Sequence, residues 1–231
     1  MLRAIIFDFN GIIIDDEPLH YQSMRDIVAP LGIEISMEDY WNRYLPFDDE
    51  ACLDAILRDY SIHLDDPRRQ EMLRAKNKLY HQMLQNQYPL FPGVSDLVDA
   101  ASQKYPLAIA SGARREDIER TLAATGLLKS FSVVVGAEDF ELGKPHPESF
   151  LLALERLNEV LHRRPAEIQP RECLVIEDSI GGVEGARTAG MLCLAVSNTY
   201  SRERLQAANQ VVSSLLEVNV PMLEKLAEAP A

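Results

Sequence analysis

Basic residues are scarce in this sequence. Its 23 lysines and arginines stand against 36 aspartates and glutamates, which gives a net charge of −13 at pH 7. Nucleic-acid backbones and anionic membrane surfaces attract basic faces, so both are disfavoured as partners. A phosphorylated ligand would have to be bound by a local cluster of positive groups, because the overall field repels it. We therefore expect no nucleic-acid partner and no membrane partner.

Cysteines are also few, and long hydrophobic runs are missing. Cys52, Cys173 and Cys193 are odd in number, far apart and outside any CxxC pair, which predicts buried thiols in a reducing compartment. The first apolar stretch is short and is broken by Asp8, unlike a signal peptide. No run approaches the roughly 20 apolar residues of a membrane-spanning helix. We expect a cytoplasmic protein and, with this acidic surface, a monomer.

Short apolar runs are present, and they are continuous rather than alternating, as in the buried strands of a parallel sheet. They are residues 4–9, 107–110, 133–135, 173–176 and 192–196. Helical patterns at 114–125, 147–161 and 180–189 separate the later runs. This alternation predicts an α/β fold with a doubly wound, mostly parallel sheet of the Rossmann-like type.

The segment 16–88 differs, because periodic helical patterns dominate it and strand-like runs are missing. The patterns cover about 18–31, 37–43, 48–59 and 67–87. Two prolines and a glycine in 89–93 (PLFPG) suit a return hinge. We therefore expect a catalytic core formed by 1–15 and 89–231, with 16–88 inserted as a helical cap. The tail from about 214 is expected to fray.

Polar residues follow the predicted strands at the points where the strands end. They are Asp8, Ser111, Gly112, Lys144, Glu177 and Asp178. In an open parallel sheet, ligands bind beyond the carboxyl ends of the strands. Each residue alone has an ordinary explanation, such as a helix cap or a solvated loop charge. Their occurrence at successive strand ends predicts that they meet at one edge of the sheet.

This set of groups suits phosphoryl transfer assisted by a metal ion. Asp8 could attack phosphorus and form an aspartyl phosphate. Mg²⁺ would reduce the repulsion between the two anions, with Glu177 and Asp178 as further oxygen ligands. Ser111 and the glycine behind it could offer a hydroxyl and backbone N–H groups to the phosphate. Lys144 could neutralise charge in the transition state.

Four motifs closely resemble those of the haloacid dehalogenase-like hydrolase superfamily, and the resemblance spans essentially the whole chain. They are FDFNG, IASGA, GKPHPESF and VIEDSIGGVEGARTAG. The start of the cap, DDEPLHYQS, is similar to the subgroup that contains beta-phosphoglucomutases and small-metabolite phosphatases. AKNKLY, at 75–80, is similar to a cap segment of the beta-phosphoglucomutase branch.

The resemblance implies a role for each matching residue. Asp8 matches the covalent nucleophile, and Ser111 and Lys144 match the hydroxyl and the ammonium that contact the phosphate. Asp178 matches a metal-ligating acid, with Glu177 beside it sharing that duty. The backbone carbonyl two residues after the nucleophile is the further Mg²⁺ ligand that the resemblance implies.

Asn10 occupies that position, where phosphatases and mutases of the superfamily normally carry a second aspartate as acid–base. Its carbonyl can still bind Mg²⁺, but an amide cannot exchange a proton, and losing a general acid–base costs about 10²–10⁴-fold in rate. Another group, such as Asp15, Asp16 or His20, could replace it in a natural variant, and a natural variant with reduced or rerouted acid–base catalysis is the explanation we favour. Alternatively, the substrate has a good leaving group, as acyl phosphates do, or Asn10 was engineered to trap a phosphoenzyme.

The cap is expected to choose the substrate, since the core residues are occupied with phosphate and metal. His20, Phe47, Lys76 and Asn77 are the candidate substrate-binding residues there, and 44–50 is a candidate specificity loop. Ordinary explanations also exist: a core histidine, a packed phenylalanine and charges on a solvated helix face.

Taken together, these patterns predict a Mg²⁺-dependent phosphatase of small phosphorylated metabolites, such as sugar phosphates, that works through phospho-Asp8. A mutase of the beta-phosphoglucomutase type would use the same nucleophile but return the phosphate to a sugar. A phosphate-binding homologue with little or no turnover is the third possibility, and Asn10 is the feature that favours it.

Overall fold

The computed structural model describes most of the chain, namely residues 1–45, 47–84, 88–161 and 166–228. The chain divides into two compact units. An α/β unit contains Met1–Asp15 and Pro89–Ala231, and a helical unit contains Asp16–Tyr88.

A six-stranded sheet forms the centre of the α/β unit. Its strands β1 to β6 are Ala4–Phe7, Leu107–Ala110, Phe131–Val135, Cys173–Glu177, Leu192–Val196 and Gln210–Val212. Their order is β3-β2-β1-β4-β5-β6, and every neighbouring pair is parallel. All residues of β1, β2 and β4 are buried, as expected for strands covered on both faces. The predicted fold class is confirmed, and β1 lies in the middle of the sheet.

The α-helices of the two units are labelled α1 to α9 in chain order. They are Glu17–Val28, Met37–Asp39, Asp49–Asp59, Asp66–Leu84, Val94–Ser102, Arg115–Ala124, Glu148–Val160, Ile180–Thr188 and Val220–Glu228. The helices α1 to α4 belong to the helical unit, and α2 continues into a π-helical turn, Tyr40–Tyr44. Within the described part of the chain, no helix is both long and apolar enough to cross a bilayer.

Helix α7 shows how the α/β core is built. Phe150, Ala153, Leu154 and Leu157 are buried in the same cluster as the side chains of the central strands. Their spacing of three and four residues places them on one helix face. Leu151, on the same helix, is 40% exposed. Leu151 follows Phe150 by one residue and therefore lies about 100° around the helix from it, outside the buried face. Ala153, three residues after Phe150, lies on that face.

The helical unit has a core of its own, formed by α1, the π-helical turn and α3. Met24, Val28, Leu53 and Ile56 are among its most buried side chains. Trp41 packs at its edge, with its ring centroid 5.5 Å from that of Tyr40. The three cysteines of the chain are all buried and unbridged, in agreement with the sequence prediction.

The inserted segment leaves and re-enters the α/β unit at neighbouring points. Ile14 and Leu90 form an antiparallel bridge, and the backbone N–H of Asp15 donates to the carbonyl of Pro89 at 2.7 Å. Both partners in each contact belong to the α/β unit. The PLFPG segment is therefore paired with the chain that precedes the insertion.

The structure differs from the sequence prediction in the tail. Fraying from about 214 is wrong for the described residues, because Val220–Glu228 forms α9 and buries Val220 and Leu223. Residues 229–231, 85–87 of the predicted helix 67–87, and Pro46 of the predicted specificity loop lie outside the described residues.

Candidate active site

Asp8 follows β1 directly, at the carboxyl end of the central strand. Its backbone N–H donates to the carbonyl of Ile176 in β4 at 2.9 Å, which continues the ladder between the two strands. The residue is 7% exposed. Because β4 is a parallel neighbour of β1, Glu177 and Asp178 end their strand beside Asp8.

Lys144 connects two of these carboxylates. Its Nζ lies 2.8 Å from Asp8 Oδ1 and 2.6 Å from Glu177 Oε1. The same ammonium lies 5.0 Å from the ring centroid of Phe150, within range of a cation–π contact. Burial alone would lower the pKa of Lys144, but the two carboxylates raise it above its ordinary value. The lysine is therefore a fixed positive charge at neutral pH.

Glu177 is fully buried, and both of its oxygens accept hydrogen bonds. Oε1 accepts from Lys144, while Oε2 accepts from the backbone N–H groups of Asp178 and Ser179 at 2.7 Å each and from the Ser179 hydroxyl at 2.9 Å. Burial would raise the pKa of Glu177, but Lys144 and the Ser179 donors bring it below its ordinary value. A Cβ at Gly182, in α8, would come within 1.7 Å of Oε1, so the carboxylate fills space that only a glycine leaves.

Asp178 is 3% exposed and lies against the turn that follows Asp8. A Cβ at Gly11 would be 2.0 Å from Asp178 Oδ2, and Gly11 has a left-handed φ of +77°. Burial and the charges of Glu177 and Asp8 raise the pKa of Asp178 well above its ordinary value. Burial also raises the pKa of Asp8 to about 6, because Lys144 offsets burial and Glu177 only in part.

The three carboxylates have the composition of a divalent-cation site. One oxygen from each of Asp8, Glu177 and Asp178 lies within 4.8 Å of the others. The ammonium of Lys144 neutralises one of the three charges, and burial, more than repulsion between the acids, raises the pKa values of Asp8 and Asp178. A hard cation with oxygen ligands, such as Mg²⁺, fits this donor set.

Ser111 follows β2, the other neighbour of β1, and is 2% exposed. Its N–H donates to the carbonyl of Val135 at 3.1 Å, and its Oγ accepts from the N–H of Ala113 at 3.2 Å. Helix α6 begins later, at Arg115, so Ser111 precedes the helix rather than standing in its first turn. Gly112 is exposed, and a Cβ there would meet nothing within 4 Å.

Asn10 lies in the turn after Asp8, where it is partly buried and pairs with Ile14 in an isolated bridge. Two residues of the site, Asn198 and Thr199, were missed by sequence reasoning. The Thr199 hydroxyl donates to Asp178 Oδ2, and Nδ2 of Asn198 donates to the carbonyl of Gly11 at 2.7 Å. Both follow β5, so a prediction of the strand order would have pointed to this loop.

Lys76, in the helical unit, is 1% exposed rather than solvated. Its Nζ lies 2.6 and 2.7 Å from the two carboxylate oxygens of Asp49 and 2.6 Å from Nδ1 of His20. The carboxylate of Asp49 thereby neutralises the buried ammonium.

The network continues from His20. Its Nε2 lies 3.4 Å from Asp16 Oδ2, which also accepts from the hydroxyl of Tyr80 at 2.5 Å. The ring centroids of His20 and Tyr80 are 4.4 Å apart.

Phe47 is 45% exposed, and Asn77 is exposed on α4. Of the four candidate substrate-binding residues in this unit, the structure brings His20 and Lys76 together.

Replacing Asp49 by asparagine is expected to destabilise the helical unit by about 2–3 kcal/mol. The substitution leaves the buried Lys76 ammonium without the carboxylate that neutralises it. The 39% exposure of the Asp49 side chain moderates the loss. Urea unfolding followed through Trp41, the single tryptophan of the chain, measures the effect in this unit.

Asp54→Asn is the matched control, because Asp54 lies on the same helix in a more exposed ion pair, with Arg69 at 3.4 Å. We expect it to cost less than about 0.5 kcal/mol. Equal unfolding midpoints for the two variants would contradict the importance of the buried pair.

Comparison with known proteins shows the family to which the chain belongs. The family model described as haloacid dehalogenase-like hydrolase matches residues 2–190. A phosphorylated carbohydrates phosphatase from Thermotoga maritima is 31% identical over 195 residues, covering 82% of this chain and 82% of that protein. Protein SUPPRESSOR OF QUENCHING 1, chloroplastic, from Arabidopsis thaliana is 29% identical over 90% of this chain, which spans only 19% of that protein.

A solved structure supports the fold. The crystal structure of beta-phosphoglucomutase from Clostridium difficile matches with a TM-score of 0.82 and 24% identity, over 98% of this chain and 97% of that one. The family model covers most of the chain, including all four motifs that carried the resemblance. The chain belongs to the haloacid dehalogenase-like hydrolase family.

Proposed function

We propose that this protein is a Mg²⁺-dependent phosphatase of small phosphorylated metabolites, with Asp8 as the covalent nucleophile. The observation that carries the proposal is the position of the Asp8 carboxylate. It lies at the end of the central strand, 2.8 Å from the Lys144 ammonium and in one cluster with Asp178. The name of the Thermotoga maritima relative, a phosphorylated carbohydrates phosphatase, supports this substrate class.

The reaction would proceed in two displacements at phosphorus. A carboxylate oxygen of Asp8 forms a bond to phosphorus, the bond to the ester oxygen breaks, and that oxygen leaves with its electron pair and takes up a proton. Water then attacks the aspartyl phosphate and loses a proton, which releases inorganic phosphate and restores the Asp8 carboxylate. Lys144 and the Ser111 hydroxyl would stabilise the charge on the non-bridging oxygens.

The carboxylates of Asp8 and Asp178 and the carbonyl of Asn10 would hold Mg²⁺, which when bound neutralises charge between nucleophile and phosphate. Glu177 belongs to the same cluster, but both of its oxygens already accept hydrogen bonds. We therefore propose that Glu177 contributes mainly by fixing Lys144 for the phosphate.

The helical unit is proposed to choose the substrate. Lys76, a candidate substrate-binding residue, is already paired with both carboxylate oxygens of Asp49 and lies against Nδ1 of His20. This arrangement favours substrates with a single phosphate, and hence hydrolysis over a mutase reaction that passes through a bisphosphate. The net charge of −13 supports a monomer, and the buried thiols support a reducing, cytoplasmic setting.

A substrate screen with Mg²⁺ tests the proposal. We expect net release of inorganic phosphate from several sugar and sugar-alcohol monophosphates, and we expect EDTA to stop it. Isomerisation of beta-glucose 1-phosphate with little phosphate release would instead identify a mutase. Phosphate binding with neither reaction would identify the non-catalytic homologue.

A further inference from the structure

The loop after β5 carries two adjacent polar side chains that reach different parts of the candidate site. Strand β5 pairs with β4 in the register Glu177↔Ala195, so the loop leaves the sheet beside Asp178. The N–H of Ser197 donates to the carbonyl of Val212 at 2.9 Å, which ties the start of the loop to β6. The start of the loop is therefore held by β5, which it follows, and by β6.

Thr199 contacts Asp178, the site residue that follows β4. Its hydroxyl donates to Oδ2 of Asp178, a residue that is 3% exposed. A bond to one carboxylate oxygen fixes the rotation of the carboxylate and leaves the second oxygen to face another partner. At this depth, water cannot easily replace the lost donor.

Asn198 contacts Gly11, in the turn that follows β1. Its Nδ2 donates to the carbonyl of Gly11 at 2.7 Å. Gly11 forms the left-handed turn against Asp178, in which a Cβ would lie 2.0 Å from Oδ2. Holding this carbonyl fixes the turn that carries Asp8 and Asn10.

We infer that Asn198 and Thr199 are positioning residues that join the two halves of the divalent-cation site. The inference rests on the proposed function, because it assigns them to the Mg²⁺ site proposed there. Neither residue needs to touch the metal or the substrate. Hydrogen-bond partners of metal-ligating carboxylates orient them, and removing such partners commonly weakens metal binding about 10–100-fold.

The test compares Thr199→Val with Thr199→Ser in the full chain. Valine keeps the branched shape and removes the hydroxyl, whereas serine keeps the hydroxyl and removes the methyl group. Calorimetric titration with Mg²⁺ is expected to show affinity about 10-fold weaker for valine and close to the parent value for serine. Phosphate release with limiting Mg²⁺ should fall in the same order and recover in part at saturating Mg²⁺.

Urea unfolding in EDTA separates positioning from a general loss of structure. If Thr199→Val does not fold, Asn198→Ala tests the same inference, with the same loss of affinity expected. Parental Mg²⁺ affinity in a folded Thr199→Val or Asn198→Ala variant would overturn the inference while leaving the phosphatase proposal intact. Equal losses for the valine and serine variants would overturn the role of the hydroxyl. Absence of Mg²⁺ binding by the parent chain would overturn the proposed function and this inference together.

Discussion

Asp8→Asn is expected to lower the Mg²⁺-dependent rate of phosphate release by about 10⁴-fold or more. An amide nitrogen or oxygen does not form the acyl phosphate that a carboxylate forms, so the first displacement has no nucleophile. The substitution also removes the charge that lies 2.8 Å from the Lys144 ammonium. Release of phosphate from an aryl phosphate under saturating Mg²⁺ measures the effect most sensitively.

The matched control for this experiment is Asp99→Asn, which makes the same atomic change on the exposed surface of α5. It should retain the parental rate. Circular dichroism and urea unfolding establish that Asp8→Asn is folded. A folded Asp8→Asn variant with an unchanged Mg²⁺-dependent rate would show that the nucleophile lies elsewhere.

Asn10→Asp is expected to change the rate in the opposite direction, raising it about 10²–10⁴-fold. The carboxyl group supplies the proton exchange that the amide lacks, for the leaving oxygen and then for the attacking water. The gain should be larger for sugar phosphates, whose alkoxide leaving groups need a proton, than for aryl phosphates, whose leaving groups need less help. Comparing the rate gain on the two substrate types therefore shows whether protonation of the leaving oxygen is the step that the parent chain lacks.

Asn10→Ala is the control for this second experiment, because it keeps the backbone carbonyl and removes the amide side chain. Its rate should stay near that of the parent. Equal rates for Asn10→Asp and the parent would mean that another group already serves as acid–base. A gain of the same size on both substrate types would contradict a role in protonating the leaving group.

The parallel sheet was predictable because its strands are short, continuous apolar runs. Leu107–Ala110 and Leu192–Val196 match the predicted runs residue for residue. Strand Gln210–Val212 was missed, since three residues carry too little pattern to recognise. Helix α9 was missed because composition near a chain end suggested fraying, whereas burial of Leu223 stabilises the helix.

The candidate site was predictable where it depends on strand ends. Asp8, Glu177 and Asp178 end adjacent strands, and the structure brings their carboxylates together. Partners that lie far apart in sequence were not predictable. The pairing of Lys76 with Asp49 depends on how two helices pack, and Thr199 follows a strand without any charge to mark it.

The bridge between Ile14 and Leu90 has a consequence for how such proteins diversify. This bridge and the hydrogen bond from the N–H of Asp15 to the carbonyl of Pro89 hold the two ends of the inserted segment side by side, so the insertion begins and ends at one place. Changing its length alters the closure entropy only slowly, as the logarithm of the number of residues. Under the proposed function, exchange of the insertion for another by recombination would alter which metabolites are recognised and would leave the sheet with its proposed reacting groups unchanged.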